Sequence, residues 1–599
     1  MADTPTGDGA PVRRSRGEDL RLLRRYWPFV AAERRWLALG LLSVPVMTLG
    51  GLAQPYLIKE AIDGPIAAEL RGDRYAGPWT IGTLALVFLL AVVGEYGFRG
   101  LQLYALQHAG YASLTRLRRA VFGHVLTQSS KFFDQRSTGT LLSRTTNDVE
   151  ALGEVLTFGI VGILGDLVDI VAIFSAMVAL DVHLTGMSLV VAPIIVVVVN
   201  FFRRQLRKYS TEIRRSMAEA SGAFQEALAG ARVVQLHGRR RATVQEYKAL
   251  NYQYLRAYSL SNWYDASLYA VMDGVASLSI ALVIWYGGGA ALQGAVSVGL
   301  LVAFIQYIQR VFVPIRELSG KVATIERALA ALERIFGLLD VDERLPQGDH
   351  APAQVAGRIE FDGVQFSYDG KAPVLRDVQL QVAPGHMLAL VGPTGSGKTT
   401  LARLLTRHYA ASGGSVRLDG TPVEHWRQAA LRRAVGVVQQ DVVLFSGTLG
   451  DNVDLGRGLP RVQLETALRD ACLGDVLDRM GGLDAVVGEG GGGLSAGERQ
   501  LLSIARVLAA NPAVVVLDEA TASIDTLTEQ KVQAAIERVL AGRTALVVAH
   551  RLSTVRRADQ IAVLRQGEVV ECGDHPTLVA LGGLYAELVA AGERQGAIA

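Results

Sequence analysis

Trp36 to Ile58 is a run of 23 residues without a single charged side chain. Coiled as a helix, such a run matches the hydrocarbon thickness of a bilayer, so it belongs in lipid or in a very large core. Five more apolar runs follow, at Trp79–Leu106, Leu152–Leu180, Leu184–Phe202, Ser267–Trp285 and Val296–Val313. Six of them exceed what a soluble core accommodates, so the first half of the chain is expected to be an all-α membrane domain of six spans. The second, third and fifth runs contain charges, and Arg310 lies near the end of the sixth. Pro45, Pro55 and Pro193 fall inside runs, where packed neighbours can satisfy the backbone groups that proline frees.

Arginine and lysine assign the two sides. Arg13, Arg14, Arg24, Arg25, Arg34 and Arg35 precede the first run, and Arg116, Arg118 and Arg119 lie between the second and third. Arg203, Arg204, Arg207, Lys208 and the Arg239–Arg241 triplet lie between the fourth and fifth. The first loop on the opposite side holds only Lys59, Arg71 and Arg74. By the positive-inside rule, both termini face the cytosol of a cell whose inner membrane the chain crosses. The first 36 residues are polar and Arg-rich, so no signal peptide is expected. A net charge of +3 gives no reason to invoke nucleic acid. Cys472 and Cys572 lack a CxxC spacing, which fits a reducing compartment and offers no metal site.

The cytosolic insertions are too long to be turns. Roughly 45 residues separate the second and third runs and about 60 the fourth and fifth, and both stretches read as helical. Membrane helices are therefore expected to run past the bilayer and bend back, with FFDQRSTGTLLSRTTNDV (Phe132–Val149) at the first bend. At Leu345–Ala356 the sequence LPQGDHAPAQVA reads as a loop, after which short β-rich runs alternate with helical ones, as in an α/β nucleotide-binding domain.

In that second half, LALVGPTGSGKTT (Leu388–Thr400) carries the spacing G-x-x-x-x-G-K-[ST]. Gly392, Thr394, Gly395, Ser396, Gly397, Lys398, Thr399 and Thr400 are the expected phosphate cradle, with the Thr399 hydroxyl on Mg²⁺. The alternative for the motif by itself is a glycine-rich strand-to-helix turn. Tyr368, in FSYDG, is placed to stack on adenine or else is a half-buried strand tyrosine. VVVLDE feeds an apolar strand into Asp518, a Mg²⁺ ligand through water, and Glu519, which would orient the attacking water. GGGLSAGERQ opens a helix at Ser495 and Gly497 whose N-terminus favours an anion, and Ser495 with Glu498 also matches a capping box. Gln440 can reach metal and water, and His550, after another apolar strand, can bond the γ-phosphate.

In this order the motifs resemble the nucleotide-binding domain of the ABC transporter superfamily, and the six-span half resembles its exporter-type membrane domain. The resemblance implies an A-loop at Tyr368, Walker A at GPTGSGKTT, a Q-loop at Gln440 and an X-loop at Glu489. It implies the signature at LSAGERQ, Walker B at VVVLDE, a D-loop at SID with Asp525, and an H-loop at His550. It further implies ATP and Mg²⁺, with Glu519, His550 and Gln440 catalytic and Thr399, Gln440 and Asp518 around the metal. The implied domains are a cytosolic segment with an elbow helix (1–35), the membrane domain (36–340), a linker (341–357) and the nucleotide-binding domain (358–599). With one nucleotide domain, the chain reads as a half-transporter that must dimerise, sharing each ATP between Walker A of one subunit and the signature of the other. Residues 131–149 and 210–225 are expected to carry motion to the membrane.

The implied function is ATP-driven export of drug-like or lipid-like amphiphiles, with an ATP-gated channel, a regulatory ABC protein or a peptide exporter as alternatives. The family's usual signature is L-S-G-G-Q, and Ala496 and Glu498 depart from it, which favours a heterodimer with a second half-transporter. Four acids lie inside the spans: Glu95, Asp166, Asp169 and Asp273. They line a cavity for cationic amphiphiles, or else cap the extracellular ends of the spans or pair with arginine, and Arg99, one turn past Glu95, is the partner the spacing points to.

Overall fold

The computed structural model describes residues 16–599 except 73, 74, 76, 154, 156–158, 160, 440, 519–525, 550, 551 and 597–599. Among them, six helices are long and apolar enough to cross a membrane: Arg34–Arg71, Ile81–Leu126, Val161–Leu180, Val182–Ala229, Arg240–Leu292 and Val298–Leu339. Each contains most or all of one expected run. Ile81–Leu126 has 46 residues, about 70 Å at 1.5 Å per residue and more than twice the hydrocarbon thickness. Ala192–Ala229 has 38 residues and Arg240–Leu292 has 53, so the insertions are indeed helical extensions of the spans. The second reversal lies at Gly230–Arg239 around the short helix Ala231–Leu236, whereas 210–225 is unbroken helix. The fourth span is interrupted at Val190 and Val191, and Pro193 sits in the first turn of the helix that resumes. Proline is tolerated there because the N–H it lacks has no helical acceptor in a first turn.

The chain divides into two compact units. One runs to Leu126 and from Gly139 to Val341, and the other joins Thr127–Thr138 to everything from Asp342 onward.

In the first unit, the sixth span carries the bases that meet the acids. Arg310 bonds Glu95 at 3.2 Å and Gln54 at 2.8 Å, and Gln54 also donates to Glu95 at 2.5 Å. Arg316 meets Asp273 at 3.1 Å and Lys321 meets Asp166 at 2.6 Å. Asp169 accepts from the Thr48 hydroxyl. Glu95 thus takes its cation from another span, while Arg99 is exposed. The structure favours pairing over a cavity of free carboxylates. Gly51 lets these groups meet, since a Cβ there would strike Arg310. Around them Ile173, Met177, Leu184, Val283, Ala303, Phe304 and Tyr307 form an apolar cluster. The outer end of the sixth span is capped twice: Ser297 accepts from Leu300 N, and Asp63 accepts from Gly299 N at 2.8 Å. Asp63 sits in a π-turn, Ile62–Ile66, at the end of the first span.

In the second unit, a six-stranded sheet runs in the order Glu568–Gly573, Gln560–Arg565, Met387–Val391, Thr544–Val548, Val514–Asp518, Val435–Val438. All its neighbours are parallel except the first pair. Period-2 alternation sends Ala389, Val515 and Val547 to one core and Leu388, Val516 and Leu546 to another. A sheet buried on both faces needs continuous apolar strands, which is how VVVLD and ALVV read. The first face packs helices Ala496–Ala510 and Thr526–Leu540, through Leu501, Ile504, Val532 and Ile536. The second packs helix Lys398–Leu405 and the antiparallel sheet containing Ile359–Phe366 and Leu375–Val382.

Asp166 and Lys321 are each 17% exposed, and Lys321 also meets Glu317 at 3.4 Å, so it is removal of Lys321 that strands a buried charge, the Asp166 carboxylate, at a cost of about 3 kcal/mol. Lys321→Leu is expected to lower the detergent-solubilised protein's midpoint of thermal unfolding, and adding Asp166→Leu to recover most of the loss. Equal destabilisation by single and double variants would refute the pairing.

Candidate nucleotide site

The strand Met387–Val391 ends in Gly392, whose φ of +144° and contact with the Leu564 carbonyl leave no room for a Cβ. The loop then closes on Gly397, at φ +105°, which caps helix Lys398–Leu405. Lys398 is 6% exposed and folds back over its own loop, donating to Gly392 O at 2.7 Å and Pro393 O at 3.0 Å. Burial pushes its ammonium below the usual lysine value, and the nearby Asp518 pushes it back up. Ser396 Oγ is buried and makes no hydrogen bond. A phosphate group fits both: it offers an acceptor to the hydroxyl and a charge to an ammonium that protein carbonyls alone hold poorly.

Asp518 closes its strand half-buried, after the four buried residues Val514–Leu517. It pairs in register with Val548, and that strand pairs with the one leading to Gly392. The carboxylate and the phosphate loop therefore share the C-terminal edge of the sheet, where α/β ligands bind. Thr399 is half-buried beside Lys398, and Thr394 and Gly395 are exposed. A hydroxyl and a carboxylate are the hard oxygen donors that Mg²⁺ takes together with phosphate oxygens. Among the described residues, no group of three His, Cys, Asp or Glu side chains stands ready for a metal.

Tyr368 is half-buried, its hydroxyl 3.1 Å from Thr400 Oγ1 and its ring edge-on to Phe366 at 4.8 Å. Gln440, Glu519, Asp525 and His550 lie outside the described residues, as does the Glu489 side chain. The described strands end at Val438, Asp518 and Val548, just before Gln440, Glu519 and His550 in the chain.

Ser495 caps helix Ala496–Ala510 in a full capping box. Its Oγ accepts from Glu498 N at 3.2 Å, and Glu498 Oε2 accepts from Ser495 N at 2.7 Å. Glu498 Oε1 also binds Arg479 at 2.9 Å, a partner with no signal in the motif. Burial pushes the Glu498 carboxyl up, but the Ser495 amide and Arg479 outweigh it and hold it below the usual value. Gly497 is buried in the first turn, and Ala496 is exposed.

Residues 37–315 match the family described as the ABC transporter transmembrane region, and residues 375–522 match the family described as ABC transporter. The ATP-dependent lipid A-core flippase of Chromohalobacter salexigens is 36% identical over 515 residues, 84% of this chain and 88% of that one. The probable multidrug resistance ABC transporter ATP-binding/permease protein YheH of Bacillus subtilis is 36% identical over 507 residues, 84% and 75% of the two chains. Among solved structures, a bacterial Atm1-family ABC exporter with ATP bound superposes with a TM-score of 0.74 at 30% identity, covering 94% of this chain and 98% of its own.

This chain belongs to the ABC transporter superfamily. It has the architecture of an exporter half-transporter, six membrane spans fused to one ATP-binding domain that faces the cytosol. It is an ATP hydrolase coupled to transport across the inner membrane.

The cap makes the Glu498 departure from the ABC signature testable. Glu498→Gln keeps an acceptor for Ser495 N and loses only the charge on Arg479, so ATP turnover should stay within about twofold. Ser495→Ala removes the cap and should lower stability by about 1 kcal/mol. Thermal melts and phosphate-release assays on both variants check the pair, and a Glu498→Gln variant less stable than Ser495→Ala would contradict it.

Proposed function

We propose that this half-transporter moves lipid-like or drug-like amphiphiles out of the cytosol or inner leaflet, using ATP held at Lys398 and hydrolysed at Glu519. The observation that carries this is the fusion in one chain of six spans with a phosphate cradle whose Lys398 ammonium is buried on two loop carbonyls near Asp518 and whose buried Ser396 hydroxyl has no hydrogen-bond partner among the described residues. Gly392, Thr394, Gly395, Ser396, Gly397, Lys398 and Thr400 bind the phosphates, and Tyr368 backs the base. Thr399, Asp518 and Gln440 hold Mg²⁺, which screens the phosphate charge. Glu519 orients the attacking water and His550 steadies the terminal phosphate, while Ser495, Gly497 and Asp525 serve an ATP across the dimer interface.

Lipid-like cargo is favoured by the flippase relative, and drug-like cargo by the multidrug relative. The in-span acids leave little net negative charge for recognising cations, since three have a basic partner and the fourth a hydroxyl. Shape and apolar contact then do most of the selecting.

The partner is a second half-transporter, and the exposed Ala496 methyl favours a different chain. That methyl sits on the first turn of the signature helix, where the backbone must approach a phosphate. Glu498 argues less for heterodimerisation, because its charge is already taken up by the cap and Arg479.

In proteoliposomes carrying a fluorescent phospholipid, ATP should drive loss of label from the outward-facing-cytosol leaflet, and Lys398→Ala should lower ATP hydrolysis by about a hundredfold or more. ATP-dependent passive ion flux without lipid movement would reject the exporter reading. Full turnover by Lys398→Ala would reject the site.

A further inference from the structure

The residues around the Tyr368 ring differ in what they can offer a base. Phe366 and Tyr409, both buried, stand edge-on to it with centroids 4.8 and 5.1 Å away, and they hold the ring by packing. The Tyr368 hydroxyl meets two side chains of helix Lys398–Leu405. Thr400 Oγ1 lies 3.1 Å from it, and Arg403 Nη1 donates to it at 3.4 Å. Thr400 and Arg403 are three positions apart, so they share a helix face, and that face lines the hydroxyl end of the ring.

Arg403 is exposed, and its bond to Tyr368 uses only one of the guanidinium's donors. Two carboxylates that could have taken the others are spent. Asp369, next to Tyr368 in the chain, accepts from Ser367 Oγ at 3.1 Å, Lys371 N at 2.8 Å and Ala372 N at 3.1 Å. Asp134 accepts from the Tyr409 hydroxyl. Burial, and then the Arg432 and Arg403 charges, hold the His408 imidazole below its usual value. Arg403 therefore stands in positive company, with donors free of any acid among the described residues.

We propose that Arg403 is a specificity-determining residue that reads the oxygen-bearing edge of guanine, so that the chain hydrolyses GTP as well as ATP, with GTP the better substrate. This rests on the reading of Tyr368 as the base platform. A ring face accepts any base, so Tyr368 by itself selects none. A base stacked on it brings one edge to the hydroxyl end of the ring, within reach of the guanidinium. Arginine has donors and no acceptor, arranged as a planar fork. Guanine offers that fork two acceptors, O6 and N7, whereas adenine sets an N6 donor beside its N7. The reaction is unchanged by the base. Water adds to the γ-phosphorus, the bond to the bridging β-phosphate oxygen breaks, and GDP, phosphate and one proton leave.

Phosphate release by the full chain in nanodiscs with Mg²⁺ tests this on ATP, GTP, inosine triphosphate and 7-deaza-GTP, which lacks the N7 acceptor. GTP and inosine triphosphate should exceed ATP in kcat/KM by about fivefold, and 7-deaza-GTP should fall to the ATP level. Arg403→Met should bring GTP and ATP within about twofold of each other, and Arg403→Gln, which offers a donor and an acceptor, should favour ATP. If Arg403 only steadied Tyr368, its loss would change all four nucleotides together and leave their ratios alone. Tyr368→Ala should raise the KM for every nucleotide by about tenfold, the loss of one stacked base. GTP no better than ATP in the parent, 7-deaza-GTP equal to GTP, or a preference that survives Arg403→Met overturns the base-edge reading and leaves the platform standing. Unchanged KM values in Tyr368→Ala remove the platform, and the base-edge reading falls with it.

Discussion

The Lys398 ammonium, bonded to the carbonyls of Gly392 and Pro393 at the end of a strand buried on both faces, is the interaction around which the second unit is organised. A lysine can be held so far from water only by a rigid scaffold, and the parallel sheet supplies it. Five parallel strands set the loop, Asp518 and the chain positions just before Gln440 and His550 along one edge. Filling one sheet face with Leu501, Ile504 and Val532 and the other with Leu401 and Leu404 is what makes that edge stiff. The chemistry proposed for the site depends on that stiffness, because phosphoryl transfer rests on positioning and charge more than on covalent steps.

What the sequence discloses and what it hides follow from the range of the interactions. The spans were legible because a charge-free run of membrane length has few other uses, and the phosphate loop because its glycines answer to local backbone geometry at Gly392 and Gly397. The Ser495–Glu498 box was equally legible, since both partners lie within one helical turn. The partners of the buried acids were not. Arg99 is a sequence neighbour of Glu95, but its cation is Arg310, 215 positions away, and no period in the sequence encodes that choice. The second bend falls at Gly230–Arg239, where Gly230 ends the long helix, while 210–225 stays helical even across Gly222. The ends of the parallel strands announced a catalytic edge, but the residues expected to act there, Gln440, Glu519, Asp525 and His550, lie outside the described residues.

The sixth span shows how charge is tolerated at membrane depth. Three of its bases each take an acid from a different span: Glu95 from the second, Asp166 from the third and Asp273 from the fifth. A lone charge in hydrocarbon is costly, whereas a paired one fixes which helix faces which at a smaller cost. Apolar packing between helices in lipid lacks the hydrophobic drive it has in water, so specificity falls to polar contacts and close approach. Gly51, where a Cβ would strike Arg310, supplies the close approach in the same place. Charge and small size act together there.

The same logic explains why the signature departure need not disable the site. A glutamate in the first turn of a helix is favoured by the dipole and completes the cap, so the charge at Glu498 has two local reasons to exist before any nucleotide is considered. Arg479 then takes the second oxygen at 2.9 Å. An acid with both oxygens engaged presents little net charge beyond the helix end. The groups left to meet an anion there are Ser495 and the backbone of Gly497, two of the three signature positions that this chain keeps.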